Sequence, residues 1–230
     1  MLVYFALRMT EIAKNLNRVQ SQIPEGVELV AVSKTKPIEM LQEAYDAGQR
    51  VFGENRVPEL VEKSRLLPKD IEWHMIGHLQ RNKVKMITPF VSLIHAVDSL
   101  RLLAEIDKEA KKDNRVIRVL LQFHIAQEQT KYGLDLDEAR DLLDSESYNS
   151  MQNVEIAGVM GMATFTENED QVQSEFKTLK SIFDSLQSDF FSEQESFKEI
   201  SMGMSGDYKI AIEEGSTMVR IGSSIFGSRG

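Results

Sequence analysis

The sequence predicts a single (β/α)8 TIM barrel with an extra N-terminal helix. Eight short apolar runs alternate with helical patterns along 230 residues, and such alternation implies a parallel sheet with helices outside it. Eight units in about 200–250 residues is what a (β/α)8 barrel requires. No G-x-G-x-x-G motif follows any run, which disfavours the alternative, a doubly wound open sheet. We expect residues 1–230 to form one domain with no second β domain, and residues 1–8 to be an atypical N-terminal extension.

The elements follow in order along the chain. An amphipathic helix over 8–22 comes first, with apolar residues at helical spacing. The predicted strands are 28–33, 50–53, 71–77, 91–97, 116–125, 154–161, 199–203 and 217–221. The clearest helices between them are 38–47, 100–112, 136–143 and 171–186. Pro37 is expected at the first position of its helix, and Pro58 is expected to interrupt the helix after the second strand.

Composition and charge exclude several classes of protein. Hydrophobic residues make up 42% and charged residues 27%, which is ordinary for a soluble globular chain. The net charge of −9 argues against a nucleic-acid binder, because phosphate backbones need a basic face. There is no cysteine, so no disulfide or thiolate metal site can form. The apolar N-terminus is too short to span a membrane and lacks signal-peptide features, so we expect a cytoplasmic protein. We also expect it to be a monomer.

Two strand ends near the C-terminus predict a phosphate site. The stretch "MGMSG" places Ser205 among glycines before a helical segment, and "RIGSSIFG" places Gly222 and Ser223 before another apolar segment. Glycine lets a backbone approach an anion closely, and free N–H groups at a helix start bind it. The recurrent phosphate site of a (β/α)8 barrel follows strands seven and eight. Both signals fall there.

The stretch "LVAVSKTKP" ends the first strand with Lys34. An amine in a barrel mouth loses hydration, which lowers its pKa and allows a Schiff base with a carbonyl compound. The alternative is a loop lysine in water. Lys36 directly precedes Pro37, so we expect it at the rim and Lys34 in the interior. Arg220 fits either a ligand contact or an ion pair.

A Schiff-base lysine with a phosphate site leaves two ligand classes open, pyridoxal 5′-phosphate or a sugar phosphate of a class I aldolase. His74 and His78 lie four residues apart, but no carboxylate cluster accompanies them, so no metal is expected. Methionines alternate at two strand ends, which is typical of barrel-interior packing; they are Met160, Met162, Met202 and Met204.

Several motifs together resemble the pyridoxal 5′-phosphate homeostasis proteins, also called the YggS/PROSC family. The motifs are "VAVSKTKP", "FGENRVPEL", "WHMIGHLQRNK", "TKYGL" and "SMGMSGDYKIAIEEGSTMVRIGSSIFG". The resemblance runs from about residue 8 to the C-terminus and implies a barrel related to the N-terminal domains of alanine racemase and ornithine decarboxylase. Where members of the family often read F-G-E-N-Y-V-Q-E, this chain has Arg56 and Pro58.

The resemblance also implies roles for individual residues. It implies that Lys34 carries the cofactor as a Schiff base and that Asn55 lies near the ring. It implies that Ser205, Gly222 and Ser223 hold the phosphate, with Arg220 facing the pyridine nitrogen. No catalytic residue is assigned.

The sequence also favours a carrier of the cofactor over an enzyme that uses it. Racemases and decarboxylases of this type complete their sites with a second domain, for which this chain has no room. An arginine at the pyridine nitrogen disfavours its protonation and weakens carbanion chemistry. We therefore expect a protein that buffers or delivers pyridoxal 5′-phosphate, with apo forms of pyridoxal-dependent enzymes as partners. The alternative is a slow racemase-like enzyme.

Overall fold

In the computed structural model the eight strands are all parallel and close into a barrel in the order of the sequence. The structure describes residues 9–127 and 132–227. The barrel closes where β1 pairs with β8, with Val30 opposite Arg220. The predicted extension at residues 1–8 and the first two residues of the "TKYGL" motif lie outside the described residues. The predicted (β/α)8 barrel is confirmed.

The observed strands match the predicted strands in number and order. The strands are β1 Glu28–Val32, β2 Val51–Glu54, β3 Glu72–Met75, β4 Leu93–Val97, β5 Ile117–Phe123, β6 Val154–Gly161, β7 Glu199–Met204 and β8 Met218–Ile221. The helices in the described ranges are α1 Glu11–Gln20, α2 Ile38–Asp46, α3 Val57–Leu66, α4 Leu100–Lys112, α5 Leu136–Asp144, α6 Glu146–Asn149, α7 Glu169–Phe190, α8 Tyr208–Glu213 and α9 Ser223–Phe226. A 3-10 segment, Arg81–Met86, joins β3 to β4.

Two prolines have roles different from those that the sequence predicted. Pro37 is the N-cap of α2 and not its first residue. Pro58 lies in the first turn of α3, which begins at Val57. The N–H groups of a first turn have no partner within the helix, so proline is tolerated there. The prediction that Pro58 interrupts this helix was therefore wrong.

The N-terminal helix packs beside α2 and α9. The side chain of Thr10 accepts a hydrogen bond from the amide of Ala13 and so caps α1. The buried face of the helix consists of Ile12, Ala13, Leu16 and Val19. Burial of an aliphatic side chain stabilises the fold by about 1.5–3 kcal/mol, so this face is enough to hold α1 on the domain.

The apolar core has two parts, one between the helices and the strands and one inside the barrel. The interior part contains Val30, Leu93, Leu120, Ala157 and Met160 among others. Met160 is buried in the interior part, and Met162 packs against that part and lines the cavity described below. Met202 is buried in the part between the strands and the helices, so the prediction of interior packing was wrong for this residue. Met204 lines the same cavity as Met162. No helix in the described ranges has the length and apolarity needed to cross a membrane.

Candidate functional site

A cavity of about 670 Å³ opens at the carboxyl ends of the strands. All six residues singled out in the sequence line it: Lys34, Asn55, Ser205, Arg220, Gly222 and Ser223. They come from the loops after β1, β2, β7 and β8 and from the end of β8 itself. The fold thus brings together residues that are up to 189 positions apart in a chain of 230.

Lys34 sits on a tight turn immediately after β1. The amide of Lys36 donates to the carbonyl oxygen of Ser33 at 3.0 Å, which closes the turn. Thr35 has φ of 64°, in the left-handed region that a β-branched residue rarely adopts. Both Lys34 and Lys36 line the cavity and both are partly buried, so the assignment of Lys36 to the rim stays a prediction.

The loops after β7 and β8 form a cradle of backbone at one end of the cavity. The amide of Gly222 donates to Ser205 Oγ at 3.2 Å, which joins the two loops. A Cβ at Gly222 would come within 2.8 Å of the carbonyl oxygen of Val32 on β1, so only glycine allows this approach. Asp207 Oδ1 accepts from the amide of Met204 at 2.5 Å and closes the turn that carries Ser205.

This cradle fits a phosphate group. The first N–H groups of a helix have no partner within it, and α9 begins at Ser223 inside the cavity lining. Such groups bind anions. The hydroxyl groups of Ser205 and Ser223, which also line the cavity, add further donors.

Asn55 supplies a buried polar atom with no partner. Its Oδ1 is inaccessible to solvent and accepts no hydrogen bond, although the residue lines the cavity. A buried acceptor left unpaired costs about 1–3 kcal/mol. The backbone of Asn55 is packed tightly, since a Cβ at Gly77 would lie 2.5 Å from its carbonyl oxygen. A ligand that donates a hydrogen bond here would satisfy the orphaned oxygen.

Arg220 projects from β8 into the barrel and is 4% exposed. Its Nη1 donates to Ser201 Oγ at 2.6 Å and its Nη2 donates to the carbonyl oxygen of Gly161 at 3.0 Å. Burial lowers the pKa of the guanidinium to about 10, and the negative charge of Asp207 opposes that shift. Arg220 therefore keeps its positive charge at neutral pH, and two of its nitrogens are fixed.

A buried polar chain continues from Arg220 across the barrel interior. Ser201 Oγ lies 3.0 Å from His95 Nδ1, and His95 Nε2 lies 3.0 Å from His74 Nδ1. Burial lowers the pKa of His74 to about 3, with a smaller contribution from Arg118. Burial also lowers the pKa of His95 well below its usual value, and His74 and Arg220 add to this. Both imidazoles are therefore neutral at physiological pH.

The histidines considered for a metal occupy separate environments. His74 is buried, whereas His78 lies at the rim, stacked on Tyr132 at 4.8 Å and 3.6 Å from Asp98. Among residues 9–127 and 132–227, no group of three or more histidine, aspartate or glutamate side chains is placed to hold a metal ion.

The loop between β6 and α7 also borders the cavity, and the sequence reasoning did not identify Phe165 in it. Phe165 lines the cavity and is 97% exposed. The loop is anchored beside it, because Glu175 accepts from the amide of Thr164 at 2.6 Å and from its hydroxyl at 2.8 Å. Burial of Glu175 raises its pKa, but hydrogen bonds from Thr164 and Gln171 outweigh this and lower it.

Comparison with known proteins defines the class of this barrel. Residues 7–230 match the family described as "Alanine racemase, N-terminal domain". The alanine racemase structure from Bartonella henselae with covalently bound pyridoxal phosphate superposes with a TM-score of 0.70 at 15% identity, covering 95% of this chain and 58% of that chain. At that identity the likeness shows the fold alone. The class is thus an alanine-racemase-type barrel.

Two further comparisons narrow the class to one family. The pyridoxal phosphate homeostasis protein of Aquifex aeolicus (strain VF5) is 37% identical over 226 residues, covering 96% of this chain and 97% of that protein. PipY of Synechococcus elongatus PCC7942, solved without pyridoxal phosphate (PLP), superposes with a TM-score of 0.87 at 36% identity. The alignment covers 94% of this chain and 100% of PipY. PipY with PLP bound superposes with a TM-score of 0.85. The chain belongs to the family of pyridoxal phosphate homeostasis proteins.

Proposed function

We propose that this protein binds pyridoxal 5′-phosphate and holds it as a Schiff base on Lys34, to buffer or deliver the cofactor inside the cell. The observation that carries the proposal is the shared cavity, in which Lys34 and the Ser205–Gly222 cradle lie at the same open end. The homologous PipY has been solved with PLP bound. A lysine amine and an anion cradle in one cavity match the aldehyde and the phosphate of this cofactor.

The proposed attachment is a reversible condensation. Lys34 would supply the amine that condenses with the aldehyde of the bound cofactor, and the aldehyde oxygen would leave with both amine protons as one water molecule when the carbon–nitrogen double bond replaces the carbonyl. Addition of water reverses the step and releases the aldehyde. Gly222, Ser223 and Ser205 hold the phosphate in this proposal, and the unpaired Asn55 Oδ1 lies beside the ring.

We infer a holding role without catalysis. Pyridoxal phosphate supplies an electron sink for carbanions when bound, and that sink is weaker when the ring nitrogen carries no proton. The buried, charged guanidinium of Arg220 disfavours a proton on a nitrogen that faces it, because like charges repel. The relatives' name, pyridoxal phosphate homeostasis protein, supports the same role.

We also propose the domain organisation, the location and the partners of the protein. We propose that residues 1–230 form one domain that acts as a cytoplasmic monomer. Its partners are the cofactor and the apo forms of pyridoxal-dependent enzymes that receive it. Neither a nucleic acid nor a membrane is part of the proposal.

Reductive trapping tests the proposed attachment. The purified protein is mixed with pyridoxal 5′-phosphate, reduced with borohydride, digested and analysed by mass spectrometry. We expect a visible absorption band before reduction and a phosphopyridoxyl mass on the Lys34 peptide after it. Lys34→Arg should abolish both, whereas Lys36→Arg, two residues away in the same cavity lining, should keep them. The absence of that mass from the wild-type Lys34 peptide would refute the proposal.

A further inference from the structure

A buried charged cluster on α3 lies behind the turn that carries Lys34. The α3 cluster consists of Glu54 at the end of β2 with Glu59 and Lys63 on α3. Lys63 is 4% exposed, and its Nζ donates to Glu54 Oε1 at 2.7 Å and to Glu59 Oε1 at 2.7 Å. Its third contact is to the carbonyl oxygen of Ser33 at 2.8 Å. An ammonium has three hydrogens, and here each has an acceptor.

The cluster holds the backbone on both sides of Lys34. The carbonyl of Ser33, the residue before it, accepts from Lys63. The amide of Thr35, the residue after it, donates to Glu59 Oε1 at 2.5 Å. The hydroxyl of Ser33 also donates to Glu54 Oε1 at 2.6 Å. The two peptide groups that set the direction of the Lys34 side chain are therefore both fixed to the cluster.

The conformation held in this way is one that the sequence does not favour. Thr35 is β-branched and has φ of 64°, and a residue in this region persists only where its surroundings over-determine it. The contacts from Glu59 and Lys63 supply that constraint.

A purely stabilising ion pair is the simpler explanation, but it does not account for the placement. Burying an ion pair carries a desolvation penalty that often cancels its attraction, so apolar residues would stabilise the fold as well. The cost is visible at Glu54, whose pKa is raised by burial although Lys63 and Ser33 oppose the shift. Its Oε2 is buried without a partner. The α3 cluster therefore carries a cost in free energy, and its contacts converge on Ser33 and Thr35, the two neighbours of Lys34.

We propose that Lys63 and Glu59 are positioning residues for Lys34, which hold its turn so that the amine points into the cavity towards the carbonyl group of the ligand. This inference rests on the proposed function, because it takes the aldehyde of pyridoxal 5′-phosphate as that group. Neither residue lines the cavity, so both act through Lys34.

The experiment compares attachment of the aldehyde with binding of a ligand that cannot react. Pyridoxine 5′-phosphate has the ring and the phosphate but no aldehyde, so its affinity reports the cavity without Lys34 chemistry. For Glu59→Ala we expect covalent attachment to slow about tenfold or more while the affinity for pyridoxine 5′-phosphate stays within about twofold, because misplacement of a reacting group by about 1 Å costs large factors in rate. Glu59→Gln keeps an acceptor for Thr35 and should recover part of the rate.

A test of the role of Lys63 requires a variant that still folds. Lys63→Met alone leaves the carboxylates of Glu54 and Glu59 without their partner. The double variant Glu54→Gln/Lys63→Met also removes the fully buried charge of Glu54, whereas Glu59 is partly exposed. The double variant should show the same slow attachment as Glu59→Ala. Glu62→Gln is the matched control, since Glu62 is exposed on the same helix and should attach the aldehyde at the wild-type rate.

Hydrogen exchange of the Thr35 amide in the protein without ligand provides a separate readout. We expect faster exchange in Glu59→Ala and in the double variant than in wild type or Glu62→Gln. Wild-type attachment rates in both variants, or unchanged exchange at Thr35, would overturn the inference. If the wild-type chain attaches no aldehyde, the proposed function fails, and the exchange rates still decide whether the cluster holds the turn.

Discussion

His95 Nε2 lies 3.0 Å from His74 Nδ1 inside the barrel, where both rings are buried. The contact needs a donor on one ring and an acceptor on the other, so it is lost if both rings are protonated, and burial lowers the pKa of each ring and so disfavours even a single charge. The charge on Arg220, two hydrogen bonds further along, makes protonation still less favourable. The barrel interior therefore depends on histidines that stay unprotonated.

Acid should destabilise the fold through these histidines. In the unfolded chain His74 takes up a proton near its ordinary pKa of 6.5, whereas in the fold its pKa is about 3, so stability is lost as pH falls below 6.5. At pH 5 the loss from His74 alone is about 2 kcal/mol, and His95 adds to it in the same direction. Urea denaturation at pH 7 and pH 5 measures the difference.

Glu28 has the opposite effect and must be separated from the histidines. Burial raises its pKa to about 7, helped by Glu199 and Glu72 and opposed by Arg118 and Lys198. The fold therefore gains stability from its proton at low pH and loses it as pH rises through 7. The Glu28→Gln/Glu54→Gln background removes this effect together with that of Glu54, whose pKa is also raised by burial. Equal denaturation midpoints at pH 7 and pH 5 in that background would contradict neutral buried histidines.

Alanine substitutions at two glycines of the cavity test the phosphate cradle. Gly222→Ala places a methyl 2.8 Å from the carbonyl oxygen of Val32, whereas Gly206→Ala meets nothing within 4 Å. We expect Gly222→Ala to lower the free energy of unfolding by about 1–3 kcal/mol and to weaken binding of inorganic phosphate, because its displaced amide no longer aligns with Ser205. Gly206→Ala should keep wild-type stability. Calorimetry and denaturation measure both; wild-type phosphate affinity in Gly222→Ala would rule out the cradle.

Proton exchange distinguishes a carrier from a slow racemase. The protein loaded with pyridoxal 5′-phosphate should exchange the α-proton of alanine with deuterium oxide no faster than the free cofactor, because the guanidinium of Arg220 opposes a proton on the ring nitrogen. Proton NMR follows the loss of the α signal. Exchange well above that of the free cofactor would favour the racemase-like alternative.

A tryptophan at position 165 should report occupancy of the cavity. Phe165 is 97% exposed and lines the cavity, and the single tryptophan of the chain, Trp73, is 3% exposed. Addition of pyridoxal 5′-phosphate should quench the emission of Phe165→Trp more strongly than that of Leu66→Trp, an exposed site on α3 outside this cavity lining. Equal quenching of the two variants would place the cofactor elsewhere.

The positions of the residues at the strand ends could be predicted from the sequence, because the order of strands and helices along the chain determines which end of the barrel they occupy. Once eight strand–helix units are recognised, Lys34, Ser205 and Gly222 must lie at one end of a parallel barrel, and the structure places all three in one cavity. The error at Pro58 was local, since a first-turn proline and an interrupting proline differ by a shift of the helix start.

Contacts across the barrel could not be predicted in this way. Ser201 and His95 are 106 residues apart, and they meet only because the register of the strands points both side chains inward. Strand register is not encoded in a single apolar run. Lys63 did carry a signal, because it follows Glu59 by four residues on the buried face of α3, where a charged residue needs a partner.

The pairing of β1 with β8 has a consequence for biosynthesis. Lys34 leaves the ribosome long before Gly222, which packs against Val32 on β1 and follows Lys34 by 188 positions. If Lys34 and the cradle hold the cofactor as proposed, a nascent chain has the amine long before it has the cradle, and it can retain the cofactor only after β8 has paired with β1. Cofactor retention would then mark chains that extend through β8, and shorter products of premature termination would leave the pool of free cofactor untouched.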